Sequence, residues 1–396
     1  MTVDRGEAEA RALAALRANI GPRGLRASAP VAAAKALNYD GVFARDAAIA
    51  APGLWASGDP TLAAAATQSL TSLAACQAAS GQIPKFIKAG EGDFWYVTCP
   101  DATAWWLVAV RLASHLGVDG IERQHADAIA AAERWLTAQC HPRFGLVHQT
   151  EGGDWADMYP RSGYVLYSNA VWAWARWLAG DHDGWRETVR HARWLFRPHD
   201  GDDPPDRRLT VLRERAREQT APSPLWLGHV DLGSFGVDGD LFGNVLAALC
   251  GLTDRAGAEL IADAIISHGW HRPYPLRVTV DPITEDDPRW RGYMARHGLN
   301  RPHGYHNGGI WPFVGGFWAL LLTRLGREAA AVDALDGIIA ASAADDWRFS
   351  EWHDGQTGAG HGMPGQSWNA AMLILARRVI EDGLTLPWPP WEASGG

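Results

Sequence analysis

Apolar residues recur along this chain every three to four positions, in long runs broken by polar or glycine-rich stretches. That is the period of helices that bury one face. It predicts helices over roughly 5–19, 44–57, 61–79, 102–116, 122–138, 167–179, 183–196, 208–218, 241–252, 255–267, 311–325, 327–342 and 367–381. Many of these are rich in Ala and Leu, which favour helix. Strand patterns are few and short. No tandem repeat and no Gly/Ser linker divides the chain.

The connections alternate in character. One set is short and bland: SGDP (57–60), GVDG (117–120), GDHDG (180–184), GLTDRAG (251–257) and LGRE (325–328). The other is long and rich in side chains that do chemistry. It comprises residues 36–46, 81–101, 144–164, 228–240, 287–312 and 347–368. Up-and-down helices put alternate connections at opposite ends. Six helix pairs with six such loops therefore predict an all-α toroid of helical hairpins, an (α/α)6 barrel, with the loaded loops around one mouth. Residues 197–227, rich in Pro, Arg and Asp, read as a surface excursion with one short helix on a single domain spanning 1–396.

Composition narrows the function. A formal net charge of -9 disfavours nucleic acid as a partner. No stretch of about 18 apolar residues occurs, so no membrane span is expected. The N-terminal stretch lacks an apolar signal-peptide core, and the four cysteines (Cys76, Cys99, Cys140, Cys250) are widely spaced. Reduced thiols in a cytoplasmic protein are the expectation. Tryptophan is the outlier, with 21 copies. Several sit in loaded loops beside Gly, Pro, Asp or Glu: Trp95, Trp155, Trp311, Trp352 and Trp368. An aromatic face next to carboxylates and amides suits a sugar, whose C–H face packs on the ring while its hydroxyls meet the polar groups.

Glycoside cleavage needs one carboxylic acid to protonate the leaving oxygen and one carboxylate to activate water or attack carbon. Apolar neighbours help the acid to keep its proton. Acidic residues of the loaded loops with aromatic neighbours are Asp40, Asp46, Asp101, Asp154, Asp157, Asp240, Glu351 and Asp354. Asp46 and Asp101 lie at loop-to-helix junctions, where an N-cap is the plain structural alternative. Asp154 and Asp157 flank Trp155 in EGGDWADMY, and Glu351 lies in SEWHDG. GYHNGGIWP (304–312) brings Tyr305, His306, Asn307 and paired glycines up to an apolar helix, a segment able to present backbone and amide groups to a ligand. The chain has no HExxH, GxSxG, GxGxxG or phosphate-loop motif, and no metal or organic cofactor is implied.

The blocks NYDGVFARD (38–46), CPDATAWWLVAVRLA (99–113), GDWADMYPRSGY (153–164), DLFGNVLAALCGLT (240–253), GYHNGGIWP and SEWHDGQTG…GQSWNAAMLILA (350–376) resemble, in this order, those of neutral/alkaline invertases, glycoside hydrolase family 100. The resemblance runs from about 36 to 380. It implies an (α/α)6 barrel shared with glucosylglycerate and mannosylglycerate hydrolases, trehalases, glucoamylases and debranching glucosidases, and inverting hydrolysis of a small α-glucoside. It also implies Asp157 as general acid, Glu351 as general base, and Arg45 with Asp46 as the grip on the sugar at the cleavage subsite. Asp101, His306, Asn307, Gln366 and Trp368 match other pocket blocks. Tyr39, Asp40, Phe43, Trp95, Asp154, Trp155, Tyr305 and Trp311 complete the expected substrate contacts. Asp154 stays open as a second candidate for the acid. The stretch after Asp157 reads DMYPRSG where the invertases are basic, and the chain is shorter before DLFGN, which points away from sucrose.

Two other classes compete. A sugar 2-epimerase uses a helical toroid and histidine bases, for which His148, His306, His353 and His361 are available. A non-catalytic carbohydrate-binding protein would lack one of the carboxylates, and both are present. The expected partner is a small oligosaccharide or glycoside.

Overall fold

The computed structural model describes residues 4–88 and 99–391, together with the backbone of 94–95. Twelve helices among the described residues build the architecture that the periodicity predicts. In chain order they are α1 (Arg5–Ala18), α2 (Ala44–Ala56), α3 (Pro60–Ala74), α4 (Pro100–His115), α5 (Ala126–Gln139), α6 (Leu166–Leu178), α7 (His182–Phe196), α8 (Leu241–Leu249), α9 (Arg255–Ser267), α10 (Pro312–Leu325), α11 (Glu328–Ala344) and α12 (Ser367–Glu381). Helices α2, α4, α6, α8, α10 and α12 pack side by side and close into a ring, each against the next and α12 against α2. The other six form an outer layer, with α1 backing α12 so that the last hairpin joins the two ends of the chain. This is an (α/α)6 barrel.

Sequence explains which helix goes where. The inner helices are apolar on every side, and α2 is buried from Ala44 through Trp55. A helix buried all round needs apolar residues all round. The outer helices bury one stripe, as Ala8, Ala12 and Leu16 do on α1 and Ile129, Ala132 and Leu136 on α5. Close packing of the inner ring depends on glycine at α2. A Cβ on Gly53 would stand 2.2 Å from the carbonyl oxygen of Ala371 on α12.

The loaded loops are tied together by short strands. Residues 42–43, 86–87 and 94–95 form one three-stranded sheet, and 148–149, 163–165 and 229–230 another. Ile310 bridges His353. Neighbouring loops thus satisfy each other's backbone polar groups and become a rigid rim. The rim stands over the N-terminal ends of the inner helices. Residues 197–227 run over the outside, with their helix (Arg207–Gln219) against α7.

Candidate active site

The rim and the helix N-termini enclose a cavity of about 210 Å³. That is below the roughly 300–1,000 Å³ of sites for drug-sized ligands, so it suits a small molecule. Five of the six loaded loops reach it. Tyr39, Phe43, Arg45 and Asp46 come from the first, and Lys85 and Phe86 from the second. Trp155 and Asp157 come from the third, Tyr305 and Trp311 from the fifth, and Glu351 and Trp368 from the sixth. The fourth loop, 228–240, does not line it. Its Asp240 stands behind, paired with Arg161 at 3.0 Å.

Local sequence sets these positions. Arg45 and Asp46 occupy the first turn of α2, and Asp101 the first turn of α4. Acidic groups at a helix N-terminus meet the unpaired N–H groups and the positive end of the helix dipole. Arg45 donates to Asp101 at 2.8 Å, and Tyr167 in the first turn of α6 donates to the same oxygen at 3.0 Å. Three neighbouring inner helices are thereby locked in register below the cavity. Asp46 faces the cavity itself. Burial pushes its carboxyl up to about 6, against the opposing pull of Arg45. The Nε of Arg45 is buried with no hydrogen-bond partner. A buried donor without a partner beside a cavity is a group ready for a ligand oxygen.

Tyr305 holds a φ of 45°, an unusual conformation for a tyrosine. Its turn folds tightly on Gly309, where a Cβ would stand 2.5 Å from the Tyr305 carbonyl oxygen. Asn307 braces the turn through two 2.7 Å hydrogen bonds to the backbone of Ile283.

The two expected catalytic carboxylates share the cavity but have different surroundings. Glu351 is 4% exposed. Tyr39 donates to its Oε1 at 2.6 Å, and the Met363 backbone N–H donates to its Oε2 at 3.1 Å. Burial pushes this carboxyl up to about 7. The two hydrogen bonds oppose the rise, and Asp46 and Asp157 add to it. Asp157 is 33% exposed at the mouth and pairs with the Lys85 ammonium at 2.6 Å.

Other residues expected to touch the ligand stand behind the cavity wall. Asp101 is fully buried under Arg45, and Asn307 is spent on backbone bracing. His306 stacks on Trp311 with ring centroids 5.4 Å apart and meets Trp155 edge-on at 5.0 Å. Burial holds its pKa well below the usual range, so the ring is neutral. Gln366 is buried with both amide atoms unpartnered, and Asp40 does not line the cavity. Asp154 is 1% exposed and is engaged by Arg161 at 2.9 Å, by Gln149 at 2.8 Å and by the Ala156 N–H at 2.8 Å. The side chain of Trp95 lies outside the described residues. Sequence reading did not name Lys85. A lone lysine in IPKF carries no motif, and only the pairing of 42–43 with 86–87 brings it to the site. Among the described residues, no histidine lines the cavity. Among the described residues, no cluster of His, Cys, Asp and Glu is placed to hold a metal.

An (α/α)6 barrel with two carboxylates in an aromatic cavity is an architecture of glycoside hydrolases, and the chain resembles those of the invertase and GH63 kind. Residues 227–383 match the family profile described as alkaline and neutral invertase. This covers the Glu351 part of the blocks that run from 36 to 380. Neutral/alkaline invertase 1, mitochondrial, of Oryza sativa subsp. japonica is 25% identical over 159 residues, which is 39% of this chain and 24% of that protein. Alkaline/neutral invertase C, mitochondrial, of Arabidopsis thaliana is 26% identical over 159 residues, or 39% of this chain and 22% of that one. The matched region thus spans about a quarter of these relatives. Among solved structures, a GH63 mannosylglycerate hydrolase from Thermus thermophilus superposes with a TM-score of 0.69 at 16% identity, covering 93% of this chain and 99% of that one. A bacterial glucoamylase complexed with acarbose gives 0.61 at 13% identity, covering 96% and 56%. These two share the fold. Among the described residues, no helix is long and apolar enough to cross a membrane.

Proposed function

We propose that this chain is an inverting glycoside hydrolase acting on a small α-glycoside, with Asp157 as general acid and Glu351 as general base. The observation that carries the reading is that both carboxyl groups line one small cavity, together with the Arg45–Asp46 pair and three tryptophans. Both oxygens of Glu351 accept hydrogen bonds, an arrangement that suits a carboxylate taking a proton from water. Asp157 stands at the mouth, where a leaving group departs. Asp154 is the poorer candidate for the acid, because its oxygens are held in a buried ion pair. Asp46 and Arg45 are read as the grip on the sugar. Trp155, Trp311, Trp368, Phe43, Tyr39 and Tyr305 are read as the walls around it.

The small cavity argues for a disaccharide or a glycoside with a small aglycone. The mannosylglycerate hydrolase neighbour places a glycosyl acid among the substrates to try. A histidine-driven epimerase is not favoured, since His306 stands behind Trp155 and Trp311. The four cysteines are free thiols, which fits a reducing compartment such as the cytoplasm. The test is a panel of sucrose, trehalose, isomaltose, kojibiose, glucosylglycerate, mannosylglycerate and short maltooligosaccharides, with the fresh product's anomer read by NMR. Release of the inverted anomer from at least one α-glycoside is expected. Retention of configuration sinks the inverting mechanism, and no turnover of any member sinks the hydrolase reading for small α-glycosides.

A further inference from the structure

Among the described residues that line the cavity, Lys85 is the charged one to which the acid, the base and the grip on the sugar assign no role. It enters the site just ahead of strand residues 86–87, and its carbonyl oxygen accepts from the Ala44 N–H at 3.0 Å. Its side chain is 12% exposed. An ammonium has three donors. Among the described residues one hydrogen-bond acceptor is found for it, Asp157 Oδ2 at 2.6 Å. The charged and titratable groups around the pair are, among the described residues, Arg45, Asp46, Glu351, Cys99, Tyr39, Tyr305 and His306. Burial alone would lower the pKa of Lys85, but Asp157 and Cys99 outweigh it and the net direction is up. The group stays an ammonium.

The pair sets up a conflict. A general acid must present a proton to the glycosidic oxygen, and Lys85 already donates to Oδ2 of Asp157. While that contact lasts, the ammonium occupies the carboxyl oxygen that the leaving group needs. We infer that Lys85 is a positioning residue that lets go of Asp157 when a leaving group binds, turning its donors to the leaving-group oxygens and so allowing Asp157 to take up the catalytic proton. This inference rests on the reading of Asp157 as the acid.

The proton count closes. Asp157 takes one proton from solvent at the mouth and passes it to the glycosidic oxygen as the C–O bond breaks, releasing an alcohol. Water forms the new bond to the anomeric carbon and gives its proton to Glu351, which returns it to solvent. Lys85 remains an ammonium throughout. Substrates whose leaving group offers an acceptor beside the glycosidic oxygen should be favoured. Binding itself should take up a proton.

The experiment compares Lys85→Met and Lys85→Arg with the parent enzyme, using kcat/KM against pH on the best disaccharide of the panel and on an activated aryl glycoside. With the disaccharide, Lys85→Met should move one limb of the profile up by about one pH unit, while Lys85→Arg keeps the parental profile. The aryl glycoside needs little acid assistance, so its profile should not move. A second measurement covers a Lys85→Met protein that fails to fold. Calorimetry of Glu351→Gln binding the S-linked analogue of that disaccharide, in two buffers of different ionisation enthalpy, should show uptake of close to one proton. A profile that Lys85→Met leaves unmoved, or binding without proton uptake, overturns the inference. The underlying reading fails separately, if Asp157→Asn hydrolyses the disaccharide at the parental rate.

Discussion

The two ends of the barrel are built from the same six inner helices and do opposite things. At the N-terminal ends the chain sets acids, Asp46, Asp101 and Asp240, against unpaired N–H groups and leaves a cavity. At the C-terminal ends it sets cations and indole N–H groups against unpaired carbonyls. Residues 384–391 cross that end. Trp388 stacks on Trp174 with centroids 4.2 Å apart, and Trp391 donates to the Ala248 carbonyl at 2.8 Å. Arg324 lies 4.1 Å over the Trp391 ring and bonds the carbonyls of Leu249 and Pro389. Each end thus carries the charge that the helix dipole favours there. The difference teaches that the helix direction, common to the whole ring, decides which end gathers buried carboxylates and which is tied together by cations and indoles.

The strongest way to test that division is at the mouth. Asp157→Asn and Glu351→Gln should each lower kcat by about 10²–10⁴-fold. Thermal melts at neutral pH should show that both still fold. An activated aryl glycoside should partly restore Asp157→Asn and leave Glu351→Gln inactive, since only the first lacks acid assistance. Rescue of both, or of neither, breaks the assignment of roles.

Next in size is the layer beneath the cavity. Arg161 pairs with Asp154 at 2.9 Å and Asp240 at 3.0 Å, all three buried. Arg161→Met leaves two buried carboxylates without their cation, which costs about 3–5 kcal/mol. Denaturant unfolding should show a loss of that order, and activity should fall with it because Asp154 anchors the turn that carries Asp157. A loss below about 1 kcal/mol would mean that this layer does not hold the mouth together. At the other end, Trp388→Ala should cost about 2 kcal/mol through lost aromatic packing. The kcat at 25 °C should stay within about twofold, because the tail is remote from the chemistry. A large fall in kcat there would break the separation of the two ends.

Much of this was legible in the sequence, for physical reasons. Helical period and Ala/Leu content marked all twelve barrel helices, and the alternation of bland and loaded loops marked the mouth. The loop 228–240 is the exception, because its Asp240 serves a buried ion pair instead of the cavity. Motif resemblance pointed at residues around the site without separating those that line it from those that brace it. Asn307 and Asn369 show why. Each is a buried amide that holds loop backbone, and Asn369 bonds the Phe313 N–H at 3.0 Å and the Ser350 carbonyl at 2.8 Å. Asn169 and Asn244 do the same at the starts of α6 and α8, and Thr103 does so on α4. A polar residue in the first turn of an otherwise apolar helix was a signal that could have been read as a loop brace. The tail was missed because LPWPPW has no period. Lys85 and the short rim strands were missed because they depend on contacts far apart in sequence.

The last expected effect concerns how Glu351 is tuned. Its carboxyl titrates near 7 in the folded protein against 4.5 for the ordinary group. The folded state therefore binds more protons than the unfolded chain between those values, and stability falls as pH rises through that window. The stabilisation is fully present below about pH 4.5 and gone above about 7, and it amounts to about 3 kcal/mol at most. Glu351→Gln should remove this slope, so its melting temperature should gain on the parent between pH 5 and pH 8. The same group governs rate in the opposite sense, because a base must be ionised. On the proposed roles its ionisation should set a limb of kcat/KM near pH 7. Tyr39 donates its hydrogen bond to the ionised form and so holds the value down. Tyr39→Phe removes that donor and should carry that limb about one unit higher, worth about 1.4 kcal/mol. A loss of rate equal at every pH would mean that Tyr39 shapes the cavity without tuning the base. A limb that moves downward would mean that Tyr39 does not favour the ionised carboxyl, and the tuning assigned to it would have to be given up.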